Sequence, residues 1–445
     1  MVGRVTFAIR GTILQTPKPG HLEVLEDQIV LVGDDGRIIS VEPAGDDDTV
    51  DLTLPSTTVL LPGLIDTHLH APQWPQLGTG LDLPLERWLF ERTFPLEARY
   101  ADTAFATAVW DQMVPTLLAN GTTTAVYYGS VHEAATTALA EACLNYGQRA
   151  FVGRVAMDHP EGTPEWYRDA SATESVAASH RSIETIQTLA GPGQLVRPII
   201  TPRFIPACTD ASLAGLGELA AATGVIVQTH CSESDWEHNY VLDRHGCSDT
   251  TALDQFGLIG DHTVLAHAVH LDDDDRNLLA SQGAGVAHCP LSNSYFGNGV
   301  FPVRQTLAAG VRVGLGSDIA GGPEHSMLRQ CGHAVTSSRI LEDGIDRTIP
   351  GDLRGVADSR IDTTTAFWLA TVGGAELLGI SAGLLSPGNV FDALAIDTSG
   401  AGGLQVWPEI DDWNTTFEKI VRLGSAKSIT TVWVDGREVS STSPS

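Results

Sequence analysis

The sequence predicts an α/β protein, a (β/α)8 barrel carrying a small β-sandwich domain formed by both termini. Three observations lead there. Eight short apolar, β-branched runs, each closed by a polar or glycine-rich turn, follow one another between residues 59 and 318. Alanine-rich segments with helical periodicity separate most of them, so strand alternates with helix. Eight such units close with right-handed crossovers and leave no exposed edge. Both chain ends read instead as hairpin strands, neither long enough to bury a core alone.

At the N-terminus, "VTFAIRGTILQTP" and "QIVLVGDDGRIISVEPAG" have strand character, the second with a Gly-Asp-Asp-Gly turn at 33–36. The barrel strands are expected in "VLLPGLIDTHLH", "GTTTAVYYGS", "RAFVGRVAMD", "LVRPIITPRF", "GVIVQTHCSE", "HTVLAHAVHL", "GAGVAHCPLSN" and "RVGLGSDIAGG", with helices such as "AATTALAEACLNYG" and "TDASLAGLGELAAATG" between them. Segment 71–104, rich in tryptophan, proline and phenylalanine, delays the second strand and is expected to cover the site. "GNVFDALAID" and "SITTVWVDGREVS" return to strand character. The expected division is residues 1–60 plus 384–445 for the composite sandwich and 61–383 for the barrel.

The 445 residues exceed one compact core but suit a large barrel with an appendage. Net charge is −29, from 26 Lys plus Arg against 55 Asp plus Glu. Such a field repels phosphate backbones and acidic membranes, so neither nucleic acid nor a membrane is expected as a partner. The only lysines are Lys18, Lys419 and Lys427, which fits a GC-rich genome or a salt-adapted surface. Six dispersed cysteines form neither a disulfide framework nor a C-x-x-C knuckle, and a reducing cytoplasm is expected. The start lacks an apolar signal region, and no run approaches the roughly 18 apolar residues of a membrane span.

Strand alternation turns His68 and His70 one way, toward the barrel mouth, and Thr67 and Leu69 toward the helices. Other candidates fall at further strand ends: His230 and Glu233 after the fifth, His267 after the sixth, Asp318 after the eighth. Any one of 15 histidines is more often core or surface than ligand, but the gathering of these candidates on one face outweighs that. Imidazole and carboxylate suit zinc, or Fe(II). Binuclear barrel hydrolases bridge two metals with a carboxylated lysine after strand four; this strand ends "TPRF" and no lysine lies between 18 and 419, so a single metal is expected. His68, His70, His230 and Asp318 would hold it, with His267 bonded to its water. On zinc, the pKa of water falls to about 7. Glu233, three residues past a ligand, can move protons, although a carboxylate there also suits a helix start.

These residues resemble the amidohydrolase superfamily, and the wider text is similar to its guanine deaminase family. "LPGLIDTHLHAPQ", "LDLPLERWLFERTFPLEAR", "GTTTAVYY", "GQRAFVGRVAMD", "ITPRF", "THCSE", "AHAVHL", "AHCPLSN" and "GSDIAGG" match that family's blocks in order, over nearly the whole chain. "HAPQ", "DLPL", "TFP" and "TPRF" are the specific pieces; His-x-His and "SD" mark only the superfamily. The resemblance implies hydrolytic deamination of guanine to xanthine and ammonia by a homodimer. It further implies zinc on His68, His70, His230 and Asp318, a proton shuttle at Glu233, and substrate contacts from Gln73, Arg203 and Phe204. His267 would steady the tetrahedral centre and Asp318 accept a proton from the nucleophile. His270 and Trp74 are positions where identity with relatives is not assumed; support of the site from behind is the expectation for His270.

Guanine suits the set physically. Its O6 and N7 are adjacent acceptors that a guanidinium fork matches, so Arg203 could hold that edge; a structural ion pair is the alternative. Gln73 offers a donor and an acceptor, and Phe204, Trp74, Trp88 or Phe94 could stack on the ring or simply pack in the core. Three rivals remain: a sister enzyme for 8-oxoguanine, a pterin or a triazine; a metal-free scaffold, against which the complete ligand set argues; and a nucleic-acid deaminase, whose zinc signature and basic groove the chain lacks.

Overall fold

Apolar residues crowd the eight central runs because parallel strands are covered on both faces. In the computed structural model, which describes residues 4–297, 299–400 and 402–441, each of those runs contains a strand. They are β6 (Leu64–His70), β7 (Thr122–Tyr128), β8 (Arg149–Gly153) with β9 (Val155–Ala156), β10 (Val196–Pro198) with β11 (Thr201–Pro202), β12 (Gln228–Cys231), β13 (Val264–His267), β14 (Gly285–His288) and β15 (Arg312–Leu315). Every residue of β6, β7, β8, β12, β13 and β14 is buried.

All pairings among them are parallel. One sheet runs β10-β8-β7-β6 and another β12-β13-β14-β15, while β9 pairs with β11. At one seam Ile200 bridges Val227, and the Gln228 N–H donates to Ile200 O at 2.9 Å. At the other, the Asp318 N–H donates to His68 O at 2.9 Å and the His70 N–H to Ile319 O at 2.8 Å. The third and fourth runs each hold two short strands where one was expected. A Cβ on Gly153, at the end of β8, would meet Thr201 Oγ1 at 1.9 Å, so the neighbouring chain presses in at the break.

Helices separate the strands, among them Thr103–Ala119, Glu133–Tyr146, Ala172–Ala190, Asp210–Thr223, Asp235–His245 and Asp273–Gln282. Five of these six starts are marked by side chains that accept from the first free N–H groups: Asp102, Ser171, Thr209, Ser234 and Asp272; helix Glu133–Tyr146 has no such cap.

The remaining strands come from both ends of the chain: β1 (Val5–Lys18), β2 (His21–Gly33), β3 (Ile38–Pro43), β4 (Leu52–Thr53) and β5 (Thr58–Pro62), then β16 (Ala393–Asp397), β17 (Ile429–Val434) and β18 (Arg437–Ser441). They form one sheet in the order β18-β17-β16-β5-β1-β2-β3, with β4 on β1. The sheet rolls, since the Ile38 N–H reaches Asn389 O and the Phe391 N–H reaches Gly36 O, both at 2.8 Å. Ile9, Ile13, Val30, Leu60, Phe391 and Trp433 fill its interior. The turn at 33–36 stands where expected, with the Gly36 N–H donating to Gly33 O at 3.0 Å. Of the terminal segments assigned from sequence, residues 1–3, 401 and 442–445 lie outside the described residues.

Two further elements differ from expectation. β2 starts at His21 and not Gln28, because the polar stretch pairs back along β1 as far as Lys18. Helix Trp413–Leu423, absent from the sequence reading, buries Phe417, Ile420 and Val421 in a cluster shared with Leu315, Leu328, Leu394 and Val432, so sheet and central strands share one core. Among the described residues no helix is long and apolar enough to cross a membrane.

Candidate active site

The shared side of His68 and His70 follows from the two-residue repeat of β6, and Leu69, on the opposite face, packs with Trp110 and Met113 of helix Thr103–Ala119. His230 lies on β12, His267 ends β13, and Asp318 follows β15 by three residues. The fold brings all five together. His68 Nε2 is 3.2 Å from Asp318 Oδ1, His70 Nε2 is 3.6 Å from the same oxygen, and His267 Nε2 is 3.9 Å from Asp318 Oδ2. His70 Nε2 and His230 Nε2 are 3.0 Å apart. Ligand atoms of His68, His230, His267 and Asp318 all lie within 4.8 Å of one another; that group includes His267, expected beside the metal's water, and not His70, expected as a ligand, whose Nε2 contacts His230.

The environment fits a cation. His68 Nδ1 and Nε2, His70 Nδ1 and His267 Nε2 are buried without a hydrogen-bond partner, and of these His68 Nε2 and His267 Nε2 face Asp318. Burial first, then neighbouring imidazoles, holds His70 and His230 well below 6.5, which favours the neutral form that ligates metals. Burial alone would raise Asp318, but contact with His68 and the charges of His267, His68 and His70 hold it well below 3.8. His230 Nδ1 sits 2.5 Å from Arg203 O and His267 Nδ1 2.9 Å from Asn293 Oδ1, which orients both rings. Three residues around the cluster, Ser232, His267 and Asp318, have left-handed backbones at φ 43, 71 and 48, a strain that collects at functional sites.

Glu233 lies between β12 and the next helix. It precedes the cap residue Ser234, so it is not a helix-start carboxylate; Ser234 Oγ accepts from the Glu237 N–H, and the Glu237 carboxylate accepts from the Glu233 N–H at 2.7 Å. Glu233 Oε1 is 3.7 Å from His267 Nε2. Burial, with Asp318 adding to it, raises its carboxyl well above 4.5.

Gln73, in the turn Ala71–Gln76, and Arg203 and Phe204, just after β11, line one pocket with His70, His230, Glu233 and Asp318. Arg203 is also half of an ion pair: its Nη1 and Nη2 donate to Glu97 at 2.6 and 3.1 Å. Of the four candidate stacking rings, Phe204 and Trp88 line the pocket. Phe94 lies beneath the Arg203 guanidinium at 4.9 Å, and Trp74 turns away to pack edge-on against His325 at 5.5 Å. His270 is set back from the cluster, stacked on His238 at 4.6 Å and 3.2 Å from Asp235.

Sequence reasoning missed four supporting groups. Asp66, pushed up to about 6 by burial, accepts from the Ser317 N–H at 2.9 Å and the His68 N–H at 3.3 Å. It shares strand parity with His68 and His70, a signal that was available. Asn293, Glu97 and Glu237 stand inside or beside the motif blocks, and a Ser-x-x-Glu cap pattern points to Glu237.

The amidohydrolase family matches residues 59–439. The chain is 36% identical to a probable guanine deaminase of Schizosaccharomyces pombe over 99% of its own length and 84% of the relative's. It is 33% identical to a guanine deaminase of Mus musculus over 98% of this chain and 97% of that one. A solved guanine deaminase of C. acetobutylicum, with guanine bound in its active site, is 30% identical, covers 97% of this chain and 99% of its own, and superposes with a TM-score of 0.87. The chain therefore belongs to the amidohydrolase family, in its guanine deaminase branch.

Proposed function

We propose that the protein hydrolyses guanine to xanthine and ammonia. The observation that carries the reading is one pocket in which Arg203 and Gln73 stand beside the His/Asp cluster, in a chain similar to guanine deaminases along nearly all its length. His68, His70, His230 and Asp318 would hold zinc, which when bound supplies the Lewis acidity that makes water reactive at neutral pH.

The chain's own residues do the rest. Arg203 takes the O6/N7 edge, Gln73 reads a ring nitrogen, and Phe204 confines the ring, which turns C2 and its amine toward Glu233. Glu233 protonates N3 as water adds to C2, and Asp318 takes a proton from the added oxygen. His267, oriented by Asn293, steadies the tetrahedral centre. A proton then passes through Glu233 to the departing amine.

We read the eight parallel strands as a closed (β/α)8 barrel of residues 61–383; the backbone hydrogen bonds across both seams support this. Residues 1–60 and 384–445 are read as the composite β-sandwich domain. Segment 71–104 is read as a cover: Gln73, Leu85, Trp88 and Leu89 line one side of the pocket that holds Arg203, His230 and Asp318. A cytoplasmic homodimer completes the reading. Free cysteines support the compartment, and strongly exposed Ile345 and Leu353 offer apolar surface for a second copy.

The test is ammonia release by zinc-loaded protein from guanine, 8-oxoguanine, adenine, cytosine and a triazine. Guanine is expected to dominate, with turnover lost on chelation and restored by zinc. Silence on guanine with turnover of another ring would replace the reading with a sister enzyme.

A further inference from the structure

Glu97 takes no part in the chemistry above, yet four donors converge on its buried carboxylate. Oε1 accepts from Gln73 Nε2 and from Arg203 Nη2, each at 3.1 Å. Oε2 accepts from Arg203 Nη1 at 2.6 Å and from Tyr167 Oη at 2.9 Å. Glu97 is 0% exposed, Tyr167 1% and Arg203 2%. The two polar side chains that face the purine in our reading therefore share one anchor behind the pocket wall.

Two physical consequences follow. Guanine is neutral and cannot offset a buried guanidinium, so the counter-charge must come from the protein before any ligand arrives. Glu97 supplies it while spending one N–H from each terminal nitrogen of Arg203; a guanidinium has five, so Nε and the two outer N–H groups are left for O6 and N7. The second consequence concerns Gln73. An ionised carboxylate only accepts, so the Gln73 amide must turn its NH2 to Glu97, and its Oε1 accepts from the Ala320 N–H at 3.0 Å. The remaining Nε2 hydrogen and Oε1 lone pair then have a fixed order.

We propose that Glu97 is the specificity-determining positioning residue of this site, holding Arg203 and Gln73 in one array that reads the oxygenated edge of a 6-oxopurine. The proposal rests on the guanine reading above.

The experiment compares Glu97→Gln with wild type, using guanine as substrate and 2-aminopurine, which keeps N7 and the 2-amine but lacks O6, as competitive inhibitor. Bound metal and melting temperature are measured alongside. The amide introduced by Glu97→Gln would set an NH2 against donors that the carboxylate now accepts from, so the array rotates. The KM for guanine is expected to rise on the order of 100-fold, with kcat and metal content little changed, while the inhibition constant of 2-aminopurine, which offers N7 but no O6, rises far less. Arg203→Ala should reproduce that contrast. A wild-type KM in Glu97→Gln overturns the proposal, and so does equal weakening of both ligands together with metal loss, the mark of a merely structural role. If Glu97→Gln does not fold, Tyr167→Phe decides: it removes one donor to Oε2 and should raise the KM for guanine several-fold and the inhibition constant of 2-aminopurine by less, and no rise for guanine overturns the proposal. Absence of guanine turnover by the wild type would instead overturn the functional reading itself.

Discussion

A proton carrier needs a carboxyl that is easily protonated and close to the atoms it serves, and Glu233 has both properties. It lines the pocket with Asp318 and stands 3.7 Å from His267. Burial and then Asp318 raise it, with Arg203 opposing. Replacing it with glutamine keeps the shape and the Glu233 N–H bond to Glu237 but removes the transferable proton. Glu233→Gln is expected to keep its metal and its fold while kcat falls by about 10² to 10⁴. Elemental analysis paired with ammonia release checks this; near-normal turnover with metal still bound would remove Glu233 from the proton path. Asn293 is a quieter case, since its contact is with Nδ1 of His267 and not with the reacting atoms. It fixes which ring nitrogen faces the centre, a role that is invisible in a list of ligand types.

Elements matter because the site is held by turns that secondary structure stiffens from behind. Asp249, buried in helix Asp249–Gln255, accepts from the Ser232 N–H at 3.1 Å and contacts His238 Nδ1 at 2.9 Å, joining the turn before Glu233 to helix Asp235–His245. The hydrogen bond to Asp249 raises His238 above 6.5 despite its partial burial; Asp275 and Asp235 add to this, while the stacked His270 is lowered by burial and by His238. A folded pKa above the unfolded one gives stability that is full below the unfolded value and is lost as pH rises through the folded one. The melting-temperature advantage of wild type over His238→Gln should therefore be larger near about pH 6 than near about pH 8.5; an advantage that grows with pH would refute the pairing. Legibility in the sequence also divides by element. The eight central strands were readable because burial on both faces makes continuous apolar runs, and alternation on β6 exposed His68 and His70 as a pair. Helix Trp413–Leu423 was readable too, with Asp412 as its cap and apolar residues at 413, 417, 420 and 421, but its place between strand-like runs hid it. The polar first half of β2 gave no alternation because it is half-exposed along its length. Glu97 escaped for another reason. It sits in short helical turns whose facing no periodicity predicts, and only the folded chain shows Arg203, Gln73 and Tyr167 meeting it.

At the scale of the whole molecule the dominant feature is charge: 55 acidic side chains against 26 basic ones in a chain of 445 residues. Several of the few cations are spent at internal junctions. Arg149 of β8 reaches Asp392 at 3.2 Å and Asp435 at 3.3 Å, tying the central strands to the terminal sheet, and Arg203 is spent on Glu97. The surface therefore keeps a large excess of carboxylates that repel one another in the folded state more than in the expanded chain. Salt acts on the two populations unequally. The screening length falls from about 30 Å at 0.01 M to about 3 Å at 1 M, which removes repulsion between exposed carboxylates, while pairs as buried as Arg149–Asp392 are screened far less. The melting temperature should accordingly rise by several degrees as potassium chloride is raised from about 0.01 M to about 1 M, a salt chosen over sulfate because sulfate strengthens apolar burial in any protein. The rise should be steepest at the low end, where the screening length changes most, and it should flatten as pH approaches the sequence isoelectric point of about 4.7 and the carboxylates neutralise. A melting temperature that falls with chloride at neutral pH would mean that surface ion pairs, and not like-charge repulsion, govern this molecule's electrostatic balance.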